Sequence, residues 1–331
     1  MLPYYYSLNE YIKEHFGKKM YRLSLDGGMT CPNRDGKLDT RGCIFCSRGG
    51  SGDFAASVSI AKTIEADVDS SDTMTLRQKY ILENIDQSIE LAKEKVKNKY
   101  KGNSYIAYFQ SFTNTYASAN YLEKLFKACL KREEIEILDI ATRPDCLEED
   151  VLKVIDSCNK IKPVWIELGL QTIHKKTAKY IRRGYELDCF IEAVNKLNAL
   201  NVAIIVHVII GLPGESKEDI YETIKFLSKL PIQGVKLQLL HVLKGTDLYD
   251  DYKEKGFKIL TMEEYFEILS NALMLLPKNM VIHRLTGDGP KSLLVEPQWT
   301  ANKKLVLNSM NKYFMDKCII QGENFDKYWL I

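Results

Sequence analysis

Three cysteines on one short, turn-rich segment constrain this chain more than any other feature. Cys31, Cys43 and Cys46 are separated by eleven and then by two residues. The segment follows a strand-like run and is rich in Gly, Asn, Asp and Pro, so it is predicted to be a loop. Three thiolates on one loop can converge on a single soft metal centre. A structural zinc site fills four positions, whereas three ligands leave one position open for chemistry.

Two kinds of metal centre fit this triad from the residues alone. One is a zinc loop, completed by His15 or by a distant cysteine as the fourth ligand. The other is an iron–sulfur cluster held by three cysteines, in which one iron remains free to bind another ligand. The Cys-x-x-Cys spacing by itself leaves the zinc alternative open.

Composition is that of an ordinary globular protein. The chain has 331 residues, of which 45% are hydrophobic and 27% are charged, and its net charge is +2. A net charge this small produces no overall electrostatic attraction for RNA, so an RNA site requires a local basic patch. Eight cysteines without regular pairing favour a reducing compartment. No secretory signal opens the chain and its longest apolar run, 202–212, is too short to span a bilayer. We expect a cytoplasmic protein without a membrane association.

Strand-like and helix-like segments alternate along the chain. Largely apolar, strand-like runs lie at 21–26, 104–110, 135–142, 164–171, 202–210 and 234–240. Helical periodicity lies between them, including one long predicted helix over 75–100. Apolar strands favour a covered parallel sheet, and six βα units are too few for an eight-fold barrel. The sequence predicts an α/β fold, a partial (β/α)6 barrel with N- and C-terminal extensions. We expect one domain over 1–331, with the barrel core at about 20–280 and the C-terminal extension at about 280–331.

Polar residues collect at the carboxyl ends of the predicted strands, where parallel α/β folds place their chemistry. In chain order they are Gln110 and Thr113 after the second strand, Thr142-Arg143-Pro144-Asp145-Cys146 after the third, Glu167 and Gln171 in the fourth, His207 and Gly211-Leu-Pro-Gly214 in and after the fifth, and His241 and Lys244-Gly-Thr after the sixth.

The cysteine loop and these motifs together resemble the radical S-adenosylmethionine (SAM) superfamily. Within it, they are similar to the Elongator catalytic subunit and to short bacterial proteins of the YhcC/YtqA (MnmL) type. The resemblance is carried by the loop from Cys31-Pro-Asn-Arg-Asp-Gly to Gly42-Cys43-x-Phe45-Cys46 and by four strand-end motifs in the same order, Thr-Arg-Pro-Asp, Glu-Leu-Gly-Leu-Gln, Gly-Leu-Pro-Gly and Lys-Gly-Thr. The eleven-residue first spacing departs from the superfamily's usual three and is close to that of Elongator.

The resemblance implies two cofactors, a 4Fe-4S cluster on Cys31, Cys43 and Cys46, and SAM beside it. Implied SAM-binding residues are Gln110, Thr113, Arg143, Glu167, Gln171, His207 and Gly211. Arg143 would present a bidentate fork to the SAM carboxylate, or else pair with Glu167. The candidates for catalysis are Cys146, His241 and Lys244.

The resemblance also implies a substrate, the wobble uridine of tRNA. The expected reaction converts its 5-carboxymethylaminomethyl group to 5-aminomethyl, without acetyl transfer. Lys175, Lys176 and Lys179 are the candidate RNA contacts, and flavodoxin or ferredoxin is the expected type of electron donor. Two alternatives remain: radical SAM oxidation or decarboxylation of a small metabolite, and a metal-dependent RNA-binding module without turnover.

Overall fold

A curved, seven-stranded parallel sheet is the scaffold of the molecule. The computed structural model describes residues 4–50, 55, 74–287 and 289–325. The strands of the sheet, in spatial order, are β1 (Tyr21–Leu25), β2 (Tyr105–Phe109), β3 (Ile135–Thr142), β4 (Val164–Gln171), β5 (Ala203–Ile210), β6 (Gly234–Leu239) and β8 (Val281–Arg284). A separate antiparallel pair joins β7 (Val242–Leu243) to β9 (Leu294–Glu296). The partial barrel is confirmed, and β8 adds a seventh parallel strand beside β6.

Helices connect and cover the strands. They are α1 (Leu8–Phe16), α2 (Leu76–Glu83), α3 (Ile85–Val96), α4 (Ala119–Leu130), α5 (Glu149–Asn159), α6 (Lys175–Tyr180), α7 (Leu187–Ala199), α8 (Lys217–Leu227), α9 (Asp247–Lys255), α10 (Met262–Leu275) and α11 (Lys303–Asp316). None of these described helices has the length and apolar content needed to cross a bilayer.

The single helix predicted over 75–100 is wrong, because the chain forms two helices that meet at Asn84. This residue has φ −114° and ψ 21°, outside the helical region. Its side-chain amide donates a hydrogen bond to the carbonyl of Tyr80 at 2.8 Å, which ends α2. Asparagine competes with the helix in this way because its side chain can bond to nearby backbone groups.

The outer face of the sheet carries the main hydrophobic core. Outward-facing strand residues such as Leu23, Leu138 and Val206 are fully buried against the helices. Phe109 of β2 packs on Phe126 of α4 with ring centroids 5.4 Å apart. The strand residues between these outward positions therefore point into the concave side of the sheet, because side chains alternate along a strand.

The helix α1 packs against the concave side at the amino ends of the strands. Ser7 and Glu10 form a capping box that begins the helix. Ile12 then packs into a second apolar cluster with inward-facing strand residues near the strand starts, including Ile106 and Trp165. This cluster fills the lower end of the barrel, so the carboxyl ends of the strands form its open end.

Candidate active site

The three-Cys loop (residues 26–46) begins at the carboxyl end of β1 and is anchored on the segment after α6. The buried amide of Asn33 donates to the carbonyl of Arg182 at 2.7 Å and lies 3.4 Å from the sulfur of Cys43. The backbone amide of Ile44 donates to the carbonyl of Ile181 at 3.3 Å. These contacts hold the middle of the loop over the end of β4.

The three thiols lie in one electrostatic neighbourhood. Cys31, Cys43 and Cys46 form no disulfide and are partly exposed. Burial, together with the charges of the other two sulfurs, raises the pKa of the Cys43 thiol to about 12. Metal binding would replace the proton of each thiol, since the thiolate is the ligand form.

The spacing of the sulfurs weighs against a zinc loop. The three sulfur atoms do not all lie within 4.8 Å of one another. A tetrahedral zinc ion with bonds of about 2.3 Å would bring thiolates to within roughly 3.8 Å. His15 is wrong as a fourth ligand, because it stacks on Tyr11 in α1 at the opposite end of the barrel. A three-thiol set on an open rim suits a multi-iron cluster with one free coordination site.

The segment after β2 lies against the three-Cys loop. The backbone amide of Thr113 donates to the carbonyl of Thr30 at 3.2 Å. Phe112 has φ 58°, and the guanidinium of Arg34 stands over its ring at 5.5 Å. Gln110 and Thr113 are both buried beside this contact. The predicted SAM residues of β2 are thus next to the predicted cluster ligands.

Arg143 forms its ion pair with Asp145, and the alternative pairing with Glu167 is wrong. The guanidinium donates two hydrogen bonds to the Asp145 carboxylate, at 2.8 and 2.7 Å. It also lies over the ring of Tyr185 at 5.2 Å. The short 3₁₀ turn Pro144–Cys146 places the carboxylate beside the guanidinium, whereas Glu167 points into the barrel.

A polar layer crosses the interior of the barrel above the apolar plug. Each of the seven strands contributes one residue to this lumen layer: Arg22, Tyr108, Asp139, Glu167, His207, Lys236 and His283. Glu167 stands at its centre. Its Oε2 accepts hydrogen bonds from the Tyr108 hydroxyl at 2.7 Å and from Lys236, and lies 2.8 Å from His207 Nε2.

Arg22 joins the other half of the lumen layer. Its Nη2 lies 3.0 Å from Asp139 Oδ2, 3.1 Å from Glu167 Oε1 and 2.9 Å from His283 Nδ1. An arginine always carries its protons, so His283 Nδ1 accepts this bond and the imidazole is neutral. The contact with Asp139 is an ion pair without the alignment of a hydrogen bond.

Burial shifts the pKa values of the lumen layer in opposite directions. It raises the pKa of Asp139 to about 8, aided by the charge of Glu167. It lowers the pKa of Lys236 to about 7. It also lowers the pKa of His207, so that imidazole is neutral at pH 7. Glu167 is different: its pKa falls well below the usual range despite burial, because Lys236 and Arg22 stabilise the carboxylate.

Five of these seven residues were not among the candidate site residues, namely Arg22, Tyr108, Asp139, Lys236 and His283. A usable signal was present, since Asp139 stands between apolar residues of its strand run and Lys236 is the single charge of its run. Buried charges are rare unless they are paired, so such positions point to a shared interior site. Glu167 and His207 were found from their motif and from the resemblance.

The remaining SAM and catalytic candidates lie around the rim. Gln171 has φ 64° and folds its amide back over Gly169. Gly211, at φ +88°, ends β5. His241 Nε2 lies 3.1 Å from Thr300 Oγ1, and Lys244 is exposed beyond β7. Cys146 lines a cavity of about 280 Å³ with Lys37 of the three-Cys loop, Asp145 and residues near the starts of α4 and α5, and burial raises the pKa of its thiol.

The three candidate RNA contacts start α6 close to the open end. Lys175, Lys176 and Lys179 are all exposed. Lys175 forms an ion pair with Glu186 at 3.2 Å, in which both side chains are largely in solvent. Exposed pairs of this kind contribute little, so all three ammonium groups are accessible to phosphate.

Known families and proteins match this chain over most of its length. Residues 40–227 match the model of the Radical SAM superfamily, and residues 232–316 match that of the Radical_SAM C-terminal domain. The protein YtqA of Bacillus subtilis is 38% identical over 323 residues, which is 98% of this chain and 93% of YtqA.

Two further relatives belong to the Elongator type. A tRNA uridine(34) acetyltransferase of Methanocaldococcus jannaschii is 30% identical over 192 residues, covering 55% of this chain and 34% of that protein. The solved structure of Methanocaldococcus infernus Elp3 aligns with a TM-score of 0.61 at 21% identity, over 71% of this chain and 59% of that one. This chain is a member of the radical SAM superfamily, in its short Elongator-like group, and its cofactors are a 4Fe-4S cluster and S-adenosylmethionine.

Proposed function

We propose that this enzyme holds its cluster on Cys31, Cys43 and Cys46 and modifies the C5 side chain of the wobble uridine of tRNA. The observation that carries the proposal is the position of three thiols on one loop at the open end of the barrel. That loop stands at the carboxyl end of β1, and the lumen layer lies below the opening. A small reactive species formed at the cluster would therefore face the polar side chains of the lumen layer.

The residues at the rim suit the binding of SAM. Gln110 and Thr113, next to the three-Cys loop, would bind the methionine end of SAM. The side-chain amide of Gln171 has no hydrogen-bond partner within the described part of the chain, and we assign it to the ribose hydroxyls. Gly211 lacks a side chain at the point where backbone would approach the adenine. His207 and Glu167 lie deeper in the barrel, in the lumen layer. Arg143 supports the three-Cys loop from the side of Gly184.

When bound, the reduced cluster and SAM together supply a 5′-deoxyadenosyl radical that can take a hydrogen atom from carbon. We propose that the hydrogen comes from the carbon between nitrogen and carboxylate in 5-carboxymethylaminomethyluridine. Loss of a proton and of one electron to a one-electron acceptor then leaves an imine, and water releases the 5-aminomethyl group and glyoxylate. Closed polar walls protect such a radical from bulk solvent.

Two observations support tRNA as the substrate. The relative from Methanocaldococcus jannaschii is named for its action on uridine 34 of tRNA, and it is 30% identical to this chain over 192 residues. Exposed lysines on α6 stand on the rim next to the end of β4, where phosphates can reach them. A modified base must leave its stack to reach an interior site, and single-stranded loops permit this.

Mass spectrometry of nucleosides tests the proposal in cells. Transfer RNA from cells that lack this chain should accumulate 5-carboxymethylaminomethyluridine and lose the nucleosides that derive from 5-aminomethyluridine. The wild-type gene should restore them, whereas a Cys43→Ala gene should not. An unchanged nucleoside profile would favour the small-metabolite alternative. Unchanged profiles together with no SAM cleavage by the purified protein would favour an RNA-binding module.

A further inference from the structure

Arg284 is the lumen-facing cation that the mechanism has not used. It ends β8, where its Cα pairs with Lys236 of β6. The register shifts by one residue between Val235 and Lys236, so Arg284 faces the lumen on the same side as its neighbour His283. Its side chain is partly exposed. Within residues 4–50, 55, 74–287 and 289–325, no carboxylate or carbonyl pairs with its guanidinium. An arginine in a partly enclosed space is normally paired, because an unpaired charge there loses hydration without compensation.

The charges of the lumen explain why none of its described carboxylates is left to pair with Arg284. The two buried carboxylates, Asp139 and Glu167, already pair with Arg22 and Lys236. Burial lowers the pKa of both histidines of the lumen layer, so neither adds a positive charge at pH 7. Arg284 therefore adds a positive charge that the described carboxylates of the lumen do not balance.

The positive charge of Arg284 affects the pKa values of two residues of the lumen layer. Burial is the main reason for the low pKa of Lys236, and the positive charges of Arg22 and Arg284 lower it further. The same charge of Arg284 also lowers the pKa of His207. These effects place the guanidinium within electrostatic range of the lumen layer, in agreement with the strand register.

Gln238 is the next inward-facing residue of β6 after Lys236, the residue that pairs with Arg284, and it lies nearer the open end. Its Nε2 lies 3.4 Å from His207 Nδ1. The other nitrogen of that ring, Nε2, is bonded to the Glu167 carboxylate and is therefore the protonated one. Nδ1 accordingly accepts from Gln238, which fixes the orientation of the amide. The second N–H of the partly exposed amide remains available to an acceptor from the open end.

We propose that Arg284 and Gln238 together receive a carboxylate carried by the substrate, at the floor of the open barrel. The geometry offers a guanidinium fork and an oriented amide N–H on adjacent strands, both reachable from the carboxyl ends. This set is complementary to a carboxylate, which accepts bidentate bonds from arginine. The inference rests on the proposed function, in which the carboxymethyl group of the modified uridine carries such a carboxylate.

A matched pair of RNA ligands tests this site. One is an anticodon stem-loop with 5-carboxymethylaminomethyluridine at the wobble position, and the other has the carboxamide in place of the carboxylate. Dissociation constants are measured anaerobically with the SAM-loaded holoenzyme. The wild type should prefer the acid by roughly ten- to a hundredfold, the range for a charge-assisted bidentate contact.

Variants of Arg284 test whether this residue causes the preference for the acid. Arg284→Gln should reduce the preference to about one, and Arg284→Lys should restore part of it. Arg132→Gln is the matched control, because Arg132 forms its ion pairs with Asp86, Glu90 and Glu134 outside the barrel. Iron content and thermal melting of each variant identify a folding defect, and Arg284→Lys tests the site if Arg284→Gln is unstable.

Three results would overturn the assignment. A full preference for the acid in folded Arg284→Gln would remove Arg284 from the site. A loss of SAM affinity in that variant, with the acid preference kept, would assign the guanidinium to the carboxylate of SAM instead. Equal wild-type affinity for acid and carboxamide would rule out the carboxylate site, while formation of 5-aminomethyluridine by the same enzyme would leave the proposed function standing.

Discussion

Lys236 and Glu167 form an ion pair in the middle of the barrel, where their side chains are 1% and 0% exposed. Loss of one partner leaves the other as an uncompensated buried charge. Lys236→Met and Glu167→Leu should each reduce the free energy of unfolding by about 3–5 kcal/mol. The double variant should lose much less than the sum, because neither charge then remains.

Urea unfolding of the four proteins at pH 6, where Lys236 is protonated in the fold, gives the coupling energy of this pair. The measurement requires anaerobic holoenzyme, so that all variants carry the same cofactor. If the loss of unfolding free energy in the double variant equals the sum of the two single losses, the two side chains act independently. The lumen layer would then not be one network.

The same lysine gives a pH dependence of stability. In the fold its pKa is about 7, because burial disfavours the charged form, whereas the unfolded value is 10.5. Between these values the unfolded chain binds more protons, so stability rises with pH. The contribution of Lys236 to the free energy of unfolding is fully present above pH 10.5 and is lost as the pH falls towards 7.

The cleanest window is pH 8–10, since Asp139, with a pKa of about 8, opposes this trend below pH 8. Over that window the wild type should gain stability relative to Lys236→Met, by up to about 1.4 kcal/mol per pH unit. Parallel pH profiles of the two proteins would show that the folded lysine keeps its proton.

Gly184 supports the three-Cys loop by lacking a side chain. At φ +86°, a Cβ there would lie 2.9 Å from Asn33 Oδ1 and 3.2 Å from Arg143 Nη2. Gly184→Ala should displace Asn33, which holds the loop on Arg182, and lower the iron content after anaerobic reconstitution. The control is Gly17→Ala, because Gly17 also has a positive φ, +67°, but has open space around it. Both variants bear the cost of a left-handed alanine, about 1–2 kcal/mol. Equal iron content in both would contradict the support role.

The lysines that start α6 provide a test of RNA binding. Replacement of Lys175, Lys176 and Lys179 by Gln should weaken tRNA binding and flatten its salt dependence, by a slope of about one for each phosphate that is no longer neutralised. The matched control is the same change at Lys97, Lys99 and Lys101, which are exposed beyond α3 and precede the amino end of β2. If the control triple weakens binding and the α6 triple does not, the RNA lies on the other side of the molecule.

Most of the fold was predictable because its strands are apolar runs separated by helical periodicity. Strands such as 135–142 and 164–171 coincide with β3 and β4. The break at Asn84 was not predictable from the sequence, because the apolar period continues across it. The first helix ends where the side chain of Asn84 bonds to the carbonyl of Tyr80. The short β7 and β9 were also missed, because two or three residues carry no period.

The candidate site was predictable only where residues cluster along the chain. Cys31, Cys43 and Cys46 share one loop, so their proximity follows from the sequence. The partners of Glu167 come from other strands, and no local pattern joins Arg22 or Lys236 to it. The partner of Arg143 was mistaken for a related reason: a carboxylate two residues away, Asp145, reaches the guanidinium more easily than one on the next strand.

The most direct test of the central claim is a single anaerobic reaction followed by mass spectrometry. Reconstituted enzyme, SAM and a strong reductant are incubated with tRNA from cells that lack this chain, and 5′-deoxyadenosine and wobble nucleosides are quantified together. We predict that 5-aminomethyluridine appears with at least one molecule of 5′-deoxyadenosine for each nucleoside converted, and that Cys43→Ala forms neither product. Formation of 5′-deoxyadenosine without any change in the tRNA nucleosides would contradict the proposed function.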